Sequence, residues 1–578
     1  MSKNIAKKID KEDPLRRIEK IKIATSALVR KKDFNGAINK ILEGLKVLQN
    51  NAELYLCLGQ VYEASKNWKS AIENYFLAIK FNPQMIEPPK GLTRCLLVNH
   101  DFSLTKKILL ECIKLNPENF EFNLALGNFY AKQYEINKSI LYFEKSFSLI
   151  PDSLAKDVLK AEVYSLVMFG MNYTEDFSYD LYLKYLKEYG AVSEIIFKPY
   201  DNWPWINDFK VGDKIRVGFV SGDFKNHPVA FFLENLLKNF DKEKFELYAY
   251  STISFEDETT KKLKQYFDQW LNLSGLSGEN VTKKIREDKI HILIDLAGHT
   301  AGNALGLFAY KPAPIQVSWL GYFASTGLKQ MDYILEDKYG VKEEEEKYFS
   351  EKVIYLPNTR LCFSEPQIEF SENNSIPFDK NGYITFGSYQ NISKLNDEVL
   401  KTWGEILSKN INSRMRIQFP QIDLESQRKD FENRLISFGI DLSRIELCPA
   451  TSREEYLKSY AEVDIVLDTF PYNGGTTTCE AIYMGVPTLT IEGNNIISRQ
   501  SGGFLSLVGL TDWIAKDRED YIKKSLDLSK DIGSLREIRK YLRNKMKSSP
   551  IMDGEKFTRN FEKALVKIIN EKLGKENE

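Results

Sequence analysis

Between residues 17 and 152 apolar positions recur at helical spacing, and the pattern restarts every 34 residues. Pro83, Pro117 and Pro151 stand 34 apart, each after a long helical stretch. Proline lacks the N–H that would continue a helix, so it stops one there. Large rings recur in phase at Phe34, Trp68 and Phe102, where they would plug a turn. Small residues recur at Ala37, Ala71, Thr105 and Ser139, and again at Ala78, Cys112 and Ser146. Gly59 and Gly127 lie two periods apart. A small residue at fixed phase marks a close helix crossing. The spacing predicts four helix–turn–helix units over 17–50, 51–84, 85–118 and 119–152. Residues 153–200, rich in Tyr, Leu and Lys, predict further helices, and 201–210 (DNWPWINDFK) a connecting segment.

Beyond residue 210 the period changes. Apolar and β-branched runs predict buried strands at 215–224, 245–252, 291–296, 314–322, 332–337 and 352–357. Helical patterns separate the first of them, at 229–240, 258–270 and 280–288. A polar stretch over 364–380 interrupts the alternation, which then restarts. Strands are predicted at 383–390, 415–420, 444–449, 464–469 and 487–493, with helices at 396–409, 425–438, 453–461 and 476–485. The remainder, to 578, reads as helical and rich in Lys and Glu. Alternating strands and helices predict parallel sheets covered on both faces. Two successive units predict two doubly wound domains with a cleft between them, and ligands bind such sheets beyond the carboxyl ends of the strands. The expected organisation is 1–152 repeats, 153–210 helical linker, 211–375 first sheet domain and 376–578 second sheet domain with C-terminal helices.

Composition narrows this. A chain of 578 residues predicts three or four domains at roughly 150 residues each. With 43% hydrophobic and 28% charged residues it has the usage of a globular protein. The net charge of −1 supplies no bulk field for nucleic acid or an anionic membrane. Six cysteines without a CxxC pair fit neither a disulfide scaffold nor a zinc framework, and suit a reducing compartment. The first residues alternate in charge and carry no apolar segment of a secretory signal. No stretch of about 18 uncharged apolar residues occurs. The expectation is a cytoplasmic multidomain protein.

Three loops carry candidate chemistry. In DTFPYNGGTTTCE (468–480) a strand ends at Asp468, Gly474 and Gly475 permit a tight turn, and Thr476, Thr477 and Thr478 open a helix. The free N–H groups and positive dipole end of a helix start suit a diphosphate, and the Thr hydroxyls add donors. Walker and GxGxxG spacings are absent, so the ATPase and dinucleotide fingerprints do not fit. The alternative for this loop is simple capping. In GSYQNISKLNDE (387–398), Lys394 follows a strand end, either as a solvated charge or as counter-ion to a leaving group. Only four His occur in the chain. His100 falls in a repeat turn and His291 begins a strand. His227 and His299 each follow a strand, in SGDFKNHP and LAGHTAGN. There is no Asp-x-Asp triplet and no His/Cys cluster, which speaks against a metal-dependent sugar transferase.

The 34-residue period resembles the tetratricopeptide repeat, whose arrays bind extended protein segments. The strings RVGFVSGDFKNHPVAFF, LIDLAGHTAGNALGLFAYKPAPIQVSWLGY and VDIVLDTFPYNGGTTTCEAIYMGVPTLT resemble the tetratricopeptide-repeat protein O-GlcNAc transferases and their SPINDLY-type relatives. They look closer to the SPINDLY-type and bacterial members than to the animal enzyme. The resemblance runs over nearly the whole chain. It implies a tetratricopeptide superhelix followed by a GT-B fold, and an inverting, metal-independent enzyme.

By motif, the resemblance makes His227 the active-site histidine and Lys394 the ligand of the donor's distal phosphate. Thr476 and Thr477 become the hydroxyl pair at that diphosphate, Glu480 a nearby acid, and Arg453 and Tyr456 the nucleoside contacts. His299, Asn391, Asp468, Gly474, Gly475 and Thr478 complete the candidate donor site. Gly475 replaces a histidine of the animal enzyme, which leaves the nucleotide open. Asp223, four residues before His227, would orient it or cap the turn. The implied reaction is sugar transfer from a nucleotide sugar, UDP-GlcNAc first, to Ser or Thr of a protein held by the repeats. The alternatives are a GDP-fucose donor, hexose transfer to Asn, and an inactive repeat scaffold. No metal, cofactor or nucleic acid is called for, and a homo-oligomer stays open.

Overall fold

The computed structural model describes residues 14–98, 102–175, 177–210, 212–368, 375–423 and 425–574. His100 lies outside them. The chain divides into two compact units, Met1–Asp152 and Ser153–Glu578.

The first unit is built of helices in pairs. The second helix of each pair begins at Phe34, Trp68, Phe102 and Ile136, which restates the 34-residue period. Asp33 and Asn67 cap two of these helices, and Asn51 and Asn119 cap first helices, each with a side-chain oxygen accepting a backbone N–H. Ala37, Ala71, Ala78, Cys112, Ser139 and Ser146 are fully buried. The glycine positions explain the close crossings. A methyl on Gly59 would lie 2.7 Å from the Tyr75 ring, and one on Gly127 2.5 Å from the Phe143 ring. Both ring and glycine advance by two periods together. The predicted helical repeats are therefore present, held by small residues seated on aromatic faces.

The second unit contains two parallel sheets. The strands of the first are β1 (Ile215–Ser221), β2 (Phe245–Ser251), β3 (Gln269–Asn272), β4 (Ile292–Asp295), β5 (Ile315–Ser318), β6 (Tyr333–Glu336) and β7 (Lys352–Tyr355), in the order β3-β2-β1-β4-β5-β6-β7. Those of the second are β8 (Ile384–Ser388), β9 (Ser413–Gln418), β10 (Ile445–Cys448), β11 (Ile465–Leu467), β12 (Thr488–Ile491) and β13 (Ile514–Ala515), in the order β10-β9-β8-β11-β12-β13. In each sheet the order reverses beside the first strand: between β1 and β4, and between β8 and β11. Adjacent connections there leave to opposite faces and open a crevice at the strand ends. All the motif loops follow these four strands.

Two expectations change. The helical pattern predicted over 258–270 is a helix only at Glu258–Lys264; Gln269–Asn272 pairs with β2 as the edge strand. The helices Leu154–Met171 and Tyr179–Ile196, expected as a linker, belong to the second unit. Tyr182 Oη donates to the Ser325 carbonyl (3.0 Å) and lies 3.1 Å from Tyr322 Oη. Trp203 and Trp205 donate their indole N–H to the carbonyls of Lys311 and Ile290.

The last helix, Gly554–Lys572, returns to the first sheet. Phe561 packs against Trp319 (4.8 Å between ring centres) and Phe240 (6.1 Å). Asp241 N–H donates to Glu562 Oε1 (2.7 Å), and Arg559 donates to the Asn239 carbonyl.

Candidate active site

The loop after β11 is organised by Asp468. Its carboxylate is fully buried and accepts the backbone N–H of Thr469 (2.9 Å) and Gly474 (2.8 Å), Gln390 Nε2 (2.9 Å) and the Thr490 hydroxyl (2.8 Å). Burial pushes its pKa up against these bonds. Asp468 therefore shapes the glycine loop from behind. The loop contains a cis bond at Phe470–Pro471.

The helix Thr476–Tyr483 comes next. Its N-cap is Gly475, which offers no side chain to the first-turn N–H groups. A helix end left open in this way is an anion site by its N–H groups and its dipole. Thr476 and Thr477 are half-buried at its mouth. Thr478 turns inward, 2.8 Å from Ser501 Oγ.

Lys394 reaches the same point from the β8 loop. Its ammonium donates to the Asn473 carbonyl (3.0 Å) and Gln390 Oε1 (3.2 Å), and sits 4.2 Å from the centre of the Tyr472 ring. Burial pushes its pKa down to about 8, against the pull of the Asp468 charge. Gln390 was not singled out by the sequence. It is buried, and its amide joins Lys394, Asp468 and the Thr477 hydroxyl (2.8 Å) into one network. Asn391 is exposed and caps the short turn Ile392–Lys394, accepting the Ser393 N–H at 3.0 Å.

The structure brings Arg453, Tyr456 and Glu480 together. Arg453 forms an ion pair with the buried Glu480, whose other oxygen accepts the Tyr456 hydroxyl at 2.9 Å. Burial raises the Glu480 pKa, and the Arg453 charge opposes that shift. The Arg453 guanidinium lies 4.6 Å from the centre of the Phe231 ring. Phe231 belongs to the helix Pro228–Asn239 of the first sheet domain, so this cation–π contact spans the cleft.

On the first sheet, His227 is the N-cap of that helix. Its Nδ1 accepts the Val229 N–H (3.3 Å), which leaves the proton of the neutral ring on Nε2. Asp223 Oδ2 lies 3.6 Å from Nδ1, and Lys225 Nζ lies 3.7 Å from the other Asp223 oxygen. Burial lowers the His227 pKa; Asp223 raises it and Lys225 lowers it further. In the neutral state His227 is a hydrogen-bond donor through Nε2.

His299 departs from its expected role as a donor ligand. It is buried with both ring nitrogens engaged: Nδ1 with Ser165 Oγ (2.8 Å) and Nε2 with the Thr326 carbonyl (2.9 Å). Burial lowers its pKa to about 4. A neutral ring that donates from Nε2 and accepts at Nδ1 has no nitrogen left for a ligand. His291 is likewise structural: its Nδ1 accepts the Arg216 N–H at 2.9 Å.

Two cationic or N–H-rich loops thus lie at the β8/β11 crevice, and the histidine loop follows β1 of the other sheet. The model of glycosyl transferase family 41 matches residues 192–368 and 372–561, more than half of the chain. The chain belongs to glycosyl transferase family 41.

Among plant relatives of this family 41 chain is a barley (Hordeum vulgare) protein named "Probable UDP-N-acetylglucosamine--peptide N-acetylglucosaminyltransferase SPINDLY". It is 36% identical over 407 residues, 69% of this chain and 42% of the relative. The Arabidopsis thaliana protein of the same name is 33% identical over 402 residues, 69% of this chain and 44% of the relative. The chain thus spans less than half the length of these curated relatives. Among solved structures, an O-GlcNAc transferase variant of Thermobaculum terrenum aligns with a TM-score of 0.71 over 97% of this chain and 99% of that one, at 24% identity. That alignment supports the fold: helical repeats followed by the two-sheet GT-B arrangement.

Proposed function

We propose that this family 41 chain transfers a sugar from a nucleotide sugar, UDP-GlcNAc first, to Ser or Thr hydroxyls of a protein. The observation that carries the reading is the convergence of Lys394 and the open helix start at Thr476 on one point of the β8/β11 crevice, tied by Gln390. The names of the plant relatives support the donor.

The reaction is written as one displacement. The acceptor oxygen forms a bond to the anomeric carbon, the bond from that carbon to the phosphate oxygen breaks, its electron pair leaves with the nucleoside diphosphate, and the hydroxyl proton passes to a phosphate oxygen of that leaving group. Lys394 and the helix N–H groups meet the charge that develops on the leaving group, and are already in place before it forms. Such groups can do the work of a metal ion, and turnover without a metal is part of the proposal. Among the described residues no group of three or more His, Cys, Asp or Glu is placed to hold a metal. His227 orients through its Nε2–H, and Arg453 with Tyr456 offers a stacking and hydrogen-bonding wall for the nucleoside.

The repeats are proposed to hold the protein acceptor, with the reaction taking place in the cytoplasm. Among the described residues no helix is long and apolar enough to cross a membrane. Calorimetric titration of the full chain with UDP, GDP and their sugar conjugates tests the reading. Binding of UDP and UDP-GlcNAc, with turnover undiminished in EDTA, is expected. Binding of GDP-fucose alone would overturn the donor, and flat traces throughout would favour a scaffold.

A further inference from the structure

Arg360 follows β7 in the first sheet domain and is buried. Its Nε contacts Glu336 Oε2 (3.1 Å), its backbone N–H donates to Asp337 Oδ2 (2.7 Å), and its carbonyl accepts the Trp319 indole N–H (2.9 Å). Held in this way, it reaches across the cleft: Nη2 donates to Gln500 Oε1 at 3.0 Å. Gln500 opens the helix Gln500–Leu507 of the second sheet domain.

That bond decides which way the Gln500 amide points. A guanidinium has no acceptor, so it takes the oxygen and turns the NH2 group away. The NH2 group then stands at Gly475, where a methyl would lie 2.3 Å from Gln500 Nε2. A side chain at 475 would displace the amide from that position. Gln500 therefore supplies N–H donors beside the open start of the helix Thr476–Tyr483.

Arg360 has one donor left over. Arg360 Nη1 has no hydrogen-bond partner although the residue is only 3% exposed. Arg360, Gln500 and Tyr339 also line a cavity of about 80 Å³. That is room for two or three waters, at about 30 Å³ each, or for a small polar substituent.

We propose that Gln500 is a specificity-determining residue, donating to an acceptor oxygen at the phosphate–sugar junction of the donor, and that Arg360 is its positioning residue. The assignment rests on the nucleotide-sugar reading of the site.

Calorimetry of the full chain with UMP, UDP and UDP-GlcNAc tests it. Gln500→Leu keeps the volume and removes the donor. It should weaken UDP-GlcNAc about ten- to a hundredfold, the scale of one charge-assisted hydrogen bond, and leave UMP unchanged. An equal loss for UDP assigns the oxygen to the phosphate, and a loss confined to UDP-GlcNAc assigns it to the sugar. Gln500→Glu turns a carboxylate toward the helix start and should weaken binding more than Gln500→Leu. Arg360→Lys keeps a cation for Glu336 but frees the amide; combined with Gln500→Leu it should add no further loss. Wild-type binding with an unchanged Gln500→Leu isotherm would overturn this assignment alone. Flat wild-type traces for all three ligands would overturn the donor reading and the assignment with it.

Discussion

Lys394 Nζ lies 3.0 Å from the carbonyl of Asn473, so the lysine after β8 and the glycine loop after β11 are joined in the free protein. The cation is held at the helix start by a carbonyl and an amide, both weaker partners than a phosphate. A diphosphate would replace them with little rearrangement.

Lys394→Ala should lower turnover by roughly 10²–10³, the scale of losing one preorganised charge stabiliser. The wild type should also lose affinity for UDP as the pH rises through about 8, where the free ammonium gives up its proton. The bound diphosphate raises that pKa, so binding takes up protons between the two values. Stability moves the other way: a folded pKa below the unfolded 10.5 means that burying the charge costs stability below pH 8, and the cost fades toward 10.5. Titrations in buffers of different ionisation enthalpy read the proton uptake; its absence at pH 8–9 would remove this role for Lys394.

His227 should titrate below 6.5 in the free protein, because burial disfavours the imidazolium. The stability it contributes is present above 6.5 and is lost as the pH falls from there through the folded value. Asp223→Asn removes the group that raises its pKa and should move it lower still. Proton NMR of the four imidazoles reads both; an upward shift in the variant contradicts the assignment.

Glu480→Ala should destabilise the fold by about 2–3 kcal/mol, since the Tyr456 hydroxyl and the Arg453 guanidinium lose their shared acceptor. Glu480→Gln keeps an acceptor for Tyr456 and should lose less. Urea unfolding measures the difference, and equal midpoints for all three proteins would show that the pair is not structural.

A chain beginning after Asp152 should fold and bind UDP while glycosylating a protein acceptor poorly. A chain beginning at residue 200 should not fold, because it lacks Tyr182 and the Ser165 partner of His299. If the shorter deletion glycosylates an intact protein as well as the full chain does, the repeats are not the docking surface.

The legible parts of this molecule are those with a period or a punctuation. Phe34, Trp68 and Phe102 begin helices because one contact recurs every 34 residues, and the candidate loops are legible because they follow strands and, at Gly474 and Gly475, carry a glycine pair. Three-dimensional convergence left weaker traces. Gln390, Gln500 and Arg360 are single polar residues whose neighbours only the sheet order supplies. His299 reads like a ligand from its loop, yet Ser165, from a helix 134 residues earlier, claims one of its nitrogens. Asn391 sits in a donor-like string and spends its oxygen on a cap. The edge strand Gln269–Asn272 is short and only partly covered, so it lacks the apolar run of its neighbours.

The helix Gly554–Lys572 gives the molecule an order of assembly. During translation the first sheet domain emerges ahead of the second, but Phe561 and Glu562, which cover Trp319, Phe240 and Asp241, arrive only after the second has been made. The half made earlier is thus finished later, and until then a tryptophan-centred patch on the nascent chain stays bare to the ribosome exit and its chaperones.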